Sequence, residues 1–264
     1  HKQAVIALII ANTIWGAAPP IFKWSLQNID PFTLAFLRYF FAMFLLLPFC
    51  FKALHVAKKD YLTVFLMSFF GITINISFFF LGLRLTDSIN VPIIGSSASV
   101  FILLGSIFFL KEQPKLKVIT GTLLSLLGVL TIILGPAWQG EFSQTQSSTT
   151  SILGNVLILI AVLGSVGHTR LLRPLSKNYN PITLTFWSFV IGALTFLPMT
   201  LVESQNGFLA GLNYQGVTGI AFGAILSSAV AYTLYNFALK HMVANEAGLF
   251  FYLDPVVTVL IAMP

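Results

Sequence analysis

The stretch NIDPFTLAF at residues 28–36 returns as NYNPITLTF at 178–186. Asn, Pro, Thr, Leu and Phe recur at a constant offset of 150. A second echo sits further along each half. GLRL followed by SSASVFILL, from residues 82 and 96, matches ALKH followed by YLDPVVTVL, from 238 and 252, at an offset of 156. That alignment sets Gly82 against Ala238 and Ser99 against Pro255. Self-similarity over half a chain marks a fold assembled from two related units. How the units sit relative to each other depends on the solvent.

Hydrophobic residues make up 57% of the 264 positions and charged residues 8%. An ordinary soluble domain carries about 25% charged residues, so this chain cannot cover a water-facing surface. The 26 phenylalanines and a mean hydropathy of +0.91 agree. The composition is that of an all-α integral membrane protein. A helix needs about 20 apolar residues to cross the hydrocarbon. Nine such runs are read at 4–26, 31–51, 61–83, 88–110, 116–134, 152–173, 181–202, 215–239 and 245–263. Asp30-Pro31, Lys58-Lys59-Asp60, Thr86-Asp87-Ser88, Lys111-Glu112-Gln113-Pro114 and Asn180-Pro181 separate them. Pro31, Pro114 and Pro181 fall near helix starts, where the missing N–H costs nothing. Barrel strands would alternate over about ten residues, and these runs do not. The opening AVIALIIANTIWGAA has the look of a signal peptide, but the similar runs behind it favour a first transmembrane helix.

Lys and Arg set the orientation. With the N-terminus in the cytoplasm, Lys2, Lys52, Lys58, Lys59, Lys111, Lys115, Lys117, Arg170, Arg173, Lys177 and Lys240 lie inside. Lys23 and Arg84 lie outside, and Arg38 falls within a run. Each repeat then holds five helices. Five is odd, so the second unit enters from the opposite side, the inverted-repeat plan common in transporters. The first repeat is read at 1–135 and the second at 152–264, joined by a polar extracytoplasmic linker at 136–151 that includes GEFSQTQSSTTS. At the offset of 156, the partner of Glu112 would be position 268. The expectation is a ten-helix, five-plus-five protein of which nine helices are present.

The charge of +6 and pI near 9.5 reflect this orientation rather than nucleic-acid binding, since no basic stretch is interleaved with aromatics in a polar context. Cys50 is the single cysteine, which excludes an intrachain disulfide. His1, His55, His168 and His241 are scattered, so no metal site and no cofactor is expected.

The chain resembles the drug/metabolite transporter superfamily, specifically its EamA-type ten-helix transporters. The resemblance rests on NTIWGAAPPIFK (12–23), DPFTLAFLRY (30–39), LGLRLTDSINVPIIGSSASVFILLGSIFFLKE (81–112), ITGTLLSLLGVLTII (119–133) and ALKHMVANEAGLFFYLDPVVTVL (238–260). Asp254 stands where the family more often shows Glu. The resemblance implies a substrate cavity lined by the first, third, fourth, sixth, eighth and ninth runs.

Ionisable residues at mid-depth cost roughly 2.5–3.5 kcal/mol on insertion scales, so they face protein or water. Arg38 is either an anion-attracting group or a tether between helices. Asp254 is either a proton-linked group or a structural hydrogen-bond partner. Pro255 beside it loosens the helix. Glu246 is read as a helix N-terminal residue favoured by the dipole. Tyr232, Tyr235 and Asn236 offer an amphipathic wall for an organic zwitterion, or else bonds between helices. Asn12 and Trp15 share a helix face, and Trp15 lies too deep for a belt residue. Asn75, Asn90, Ser96, Ser97 and Tyr252 complete the candidate cavity. His168 is either a proton carrier or a solvated histidine near the cytoplasmic end. Gly219 and Gly223 have the GxxxG spacing of close helix packing.

The reading is a secondary transporter of a bacterial inner membrane. It moves a small organic metabolite, an amino acid or related amphiphile, outward by alternating access, as a monomer and without enzymatic activity. The alternatives are a membrane scaffold or signalling protein, and an intramembrane serine protease that pairs the GSSAS serines (95–99) with His168. Pro19, Pro20, Pro92 and Pro255 are the expected bending points.

Overall fold

The computed structural model describes residues 2–101, 147–203, 212–242 and 244–262, with a few isolated positions from 104 to 131. Every regular element among them is helical. Most of the fourth run beyond residue 101 and of the fifth run lies outside the described residues, as does the linker up to residue 146.

The helices α1 (Lys2–Ser25), α2 (Pro31–Cys50) and α3 (Lys58–Leu85) open the fold, followed by the short α4 (Asn90–Gly95). The helices α5 (Ser147–Ser176), α6 (Pro181–Glu203) and α7 (Tyr214–His241) follow. Six of these, all but α4, are long and apolar enough to cross a bilayer. At 1.5 Å per residue, the 24 residues of α1 exceed the roughly 30 Å of hydrocarbon. The last residues assigned to the linker, 147–151, form the first turns of α5.

The ninth run, where Pro255 was expected to loosen the helix, is three pieces: α8 (Ala244–Gly248), a 3₁₀ turn at Leu249–Tyr252, and α9 (Leu253–Ala262). Pro255 explains the break. It has no N–H to give the carbonyl of Phe251, and its ring crowds that carbonyl. The tighter turn advances the chain by about 120° per residue instead of 100°, so Glu246 and Asp254 do not keep the phase of a continuous helix. The fourth run also bends, after Gly95. There Ser96 and Ser97 turn their hydroxyls back onto the carbonyls of Ile93 and Ile94, at 2.7 and 2.6 Å.

Two helices widen midway. Phe69–Ile74 in α3 and Phe222–Val230 in α7 are π-helical. Such turns interrupt the i→i−4 ladder and often mark functional sites.

The α2 N-terminus is capped from another helix. Asp30 occupies the N-cap but makes no side-chain bond there. Glu203, at the end of α6, accepts from the Phe32 and Thr33 amides at 3.2 and 2.8 Å. The α2–α6 pair forms the most extensive packing, with α1 against α7 and α9, and α5 against α3 and α4. The core between them includes Phe22, Leu34, Tyr39, Phe80, Phe189 and Phe196. A Cβ on Gly219 would lie 2.3 Å from Ser25 Oγ, so α1 and α7 touch there because the residue is glycine, as the GxxxG spacing suggested. The outer faces are apolar: Phe49 is 74% and Leu260 70% exposed, as befits side chains solvated by lipid.

Candidate cavity between the helices

A cavity of about 160 Å³ lies between α1, α3, α4, α5, α7 and the broken final segment. A water needs roughly 10–15 Å³ on the same measure, so there is room for a small organic molecule. Most of the lining is apolar or aromatic, which is usual for small-molecule sites.

Trp15 is the hub of the aromatic wall. Its ring meets Tyr232 and Tyr235, each at 5.3 Å between centroids, and stacks on Phe251 at 6.4 Å. Its indole N–H donates to the Ser227 carbonyl at 3.1 Å, within the π-turn of α7. Tyr235 is fixed by Thr169 of α5, hydroxyl to hydroxyl at 3.0 Å. Tyr232 points its hydroxyl at the Gly71 carbonyl, in the π-turn of α3, at 3.5 Å. The two widened turns therefore present carbonyls to aromatic donors on the cavity wall.

Arg38 is 2% exposed and reaches the cavity from α2. Its Nε donates to Ser228 Oγ at 2.6 Å and its Nη2 to Ser227 Oγ at 3.1 Å. The guanidinium lies over the Phe22 and Tyr39 rings at 5.1 and 4.9 Å. Arg38 therefore ties α2 to α7 and also lines the cavity.

His168 is 4% exposed, so it is not a solvated histidine. Its place depends on Gly71, where a Cβ would stand 2.1 Å from Nδ1. Nδ1 lies 3.0 Å from the Met67 carbonyl, which makes it the protonated nitrogen. Nε2 is buried without a hydrogen bond among the described residues. Asp254 lines the same cavity, and its Oδ1 is likewise buried with no partner among the described residues. Asn75 also faces the cavity and donates to the Ala161 carbonyl at 2.7 Å.

Of the residues singled out from sequence, Trp15, Arg38, Asn75, His168, Tyr232, Tyr235 and Asp254 converge on this cavity. Others lie elsewhere. Asn12 is fully buried and donates within α1 to Leu8, so it shares Trp15's helix without lining the cavity. Asn236 turns to Thr185 of α6 at 2.7 Å. Asn90 donates to Thr86 Oγ1, and Ser96 and Ser97 serve the bend in their own run. Tyr252 is 44% exposed, because the 3₁₀ turn rotates it outward. The serine–histidine pairing of the protease reading is not formed. Ser99 donates to the Gly248 carbonyl, and His168 engages Met67. Sequence reasoning missed Gly71, Ser227, Phe22 and Phe251. An isolated glycine in the apolar run FFGITIN was the available signal for Gly71, whereas 26 phenylalanines hide the three that line the cavity, Phe22, Phe79 and Phe251. No cluster of metal-ligating side chains occurs among the described residues.

Helices long and apolar enough to cross a bilayer, packed around a cavity, are the architecture of a multi-pass membrane protein. The chain belongs to the EamA-like transporter family, whose sequence profile matches residues 2–134 and 152–263. An uncharacterized transporter of Archaeoglobus fulgidus is 28% identical across 98% of this chain and 88% of its own length. The uncharacterized transporter YetK of Bacillus subtilis is 26% identical across 98% of this chain and 78% of its own. A protein of known crystal structure superposes with a TM-score of 0.73 at 14% identity, over 100% of this chain and 90% of that one, and so shares the fold.

Proposed function

We propose that the protein is a secondary transporter that moves a small organic metabolite, an amino acid or related amphiphile, outward by alternating access. The observation that carries this reading is the cavity itself. It is aromatic, it holds Arg38 and Asp254, and its walls come from both halves of the chain.

The reading includes a ten-helix inverted repeat, with units at 1–135 and 152–264 joined by an extracytoplasmic linker. Exchange of the halves supports it, because contacts recur in pairs. α1 packs on α7 as α5 packs on α3, α1 on α9 as α5 on α4, and each of α3 and α7 carries a π-turn. Thr33 hydrogen bonds Glu203, and Thr183, at the offset of 150, donates to the carbonyl of Ala53, which lies 150 residues before Glu203. The N-terminus is cytoplasmic in this reading and the membrane is a bacterial inner membrane. Pro19, Pro20, Pro92 and Pro255 provide the bending points, and Asp254 and His168 are the candidate proton-coupling groups. The protein acts as a monomer.

Counterflow in proteoliposomes is the test. Vesicles loaded with unlabelled solute and carrying the full-length protein should accumulate the labelled form transiently, across a panel of amino acids and related amphiphiles. Absence of exchange for every solute would favour a scaffold and end the transporter-cargo reading.

A further inference from the structure

Arg38 is basic and Asp254 acidic, both line one cavity, and no ion pair joins them among the described residues. That combination calls for an explanation. The guanidinium is almost wholly buried, yet its hydrogen-bond partners are two neutral serine hydroxyls and its packing partners are two aromatic rings. Its partners among the described residues include no carboxylate. Buried charges are ordinarily paired. Here Nε and Nη2 are held by Ser228 and Ser227, which fixes the guanidinium plane. A guanidinium oriented in this way is suited to a carboxylate.

The complementary end is Asp254. Its Oδ1 is buried and unpartnered among the described residues. Its backbone packs on Gly16, where a Cβ would come within 2.8 Å of the Asp254 carbonyl oxygen. That contact brings the carboxyl to the side of the cavity where Trp15 stacks on Phe251. A carboxyl beside aromatic faces is the chemistry that holds an organic ammonium group.

We infer that the cargo is a zwitterion, with its carboxylate taken by Arg38 and its ammonium by Asp254. This deepens the transporter reading and rests on it. The bound molecule supplies the counter-ion that each residue lacks. Its carbon skeleton lies along the aromatic wall between them. A molecule with one charge satisfies one end and leaves the other buried and unpaired, so both charges are read.

The experiment uses full-length protein and matched ligands. Leucine and phenylalanine are compared with their amides, which keep only the ammonium, and with their N-acetyl derivatives, which keep only the carboxylate. Competition against counterflow of the labelled parent, in wild-type protein, is expected to show each derivative at least 10-fold weaker. In Asp254→Asn the N-acetyl derivative should approach the parent, while the amide stays weak. Arg38→Lys should keep a preference for the carboxylate, reduced by the loss of the planar fork. The wild-type ligand series stands even where a variant fails to fold. Derivatives that compete as well as the parent in wild type would overturn the assignment. So would an Asp254→Asn protein that retains full discrimination against N-acetyl ligands. Movement of neutral or singly charged amphiphiles but not of zwitterions would overturn the charge assignment and leave the transporter reading standing. No movement of any solute would overturn both.

Discussion

Gly71 is the position where one added methyl group should do most harm. A Cβ there would lie 2.1 Å from His168 Nδ1, 2.4 Å from Cγ and 2.7 Å from Cβ. Ordinary van der Waals contact begins near 3.4 Å, so the ring must retreat by more than about 1 Å. Rotation of the side chain does not relieve a clash that reaches its own Cβ, so α5 itself must shift. Overpacking of this kind costs about 1–3 kcal/mol. The retreat also breaks the 3.0 Å bond to the Met67 carbonyl, and a buried polar group left unpaired adds about 1–3 kcal/mol. Gly71→Ala should therefore destabilise by roughly 3 kcal/mol, a melting shift on the order of 10 °C for a chain of this size. Gly95→Ala is the control, because among the described residues nothing stands within 4 Å of where its Cβ would lie, and it should melt within a few degrees of wild type. The single cysteine provides the assay. Cys50 is 2% exposed, so a thiol-reactive fluorophore reports its release on heating in detergent. His168→Ala removes the ring that makes the two shortest contacts and leaves only the 2.7 Å contact at its Cβ, so Gly71→Ala and His168→Ala should be partly non-additive, with a coupling of about 1–3 kcal/mol. A Gly71→Ala protein that melts with wild type, or costs that simply add, would refute the account of how His168 is seated.

Other expectations follow from the same contacts. Glu203→Ala removes the acceptor that caps α2 and should cost about 1–2 kcal/mol, whereas Glu203→Gln keeps an acceptor oxygen and should cost less; equal melting of the two variants would show that the cap contributes nothing. Tyr179 donates to Asp60 Oδ2 at 2.6 Å and accepts from the Ala57 amide, which ties the loop before α6 to the start of α3, so Tyr179→Phe should lower the melting temperature by a few degrees. The bond to Asp60 raises the Tyr179 phenol above its ordinary value. Its contribution is therefore complete below about pH 10 and lost as pH rises through the raised value; a wild-type protein that loses stability from this bond at lower pH would contradict it. Asn28→Cys and Asn178→Cys, each in a Cys50→Ser background, should label from opposite sides of the membrane in sealed cells, and labelling from the same side would end the inverted-repeat reading.

The parts of this fold that were legible in the sequence are those set by solvent and by local chemistry. Lipid requires long apolar helices, and the runs beginning at Pro31 and Pro181 started where a proline at the first turn allows. Position deep within an apolar run was legible too, which is why Trp15, Arg38 and Asp254 stood out before any packing was known. Direction was not. Tyr235 and Asn236 are neighbours on α7, yet one faces the cavity and the other hydrogen bonds Thr185 on α6. About 100° of helix rotation separates adjacent residues, and only the placement of the surrounding helices decides which of the two meets the cavity. Tyr252 was lost to the same ambiguity, because the 3₁₀ turn before Pro255 changes the phase of all that precedes it in that run.

His168 shows the deeper limit. Its neighbours in sequence, GSVGH, say only that the local helix is slender. What buries it is an absent side chain 97 positions earlier, at Gly71, together with the Met67 carbonyl just ahead of the π-turn that the same segment forms. A helix position without a Cβ opens room for a ring from another helix. Neither feature has a signature in the residues around the histidine. The cavity therefore depends on what two distant segments leave out as much as on what they supply, and that complementarity exists only once α3 and α5 are packed.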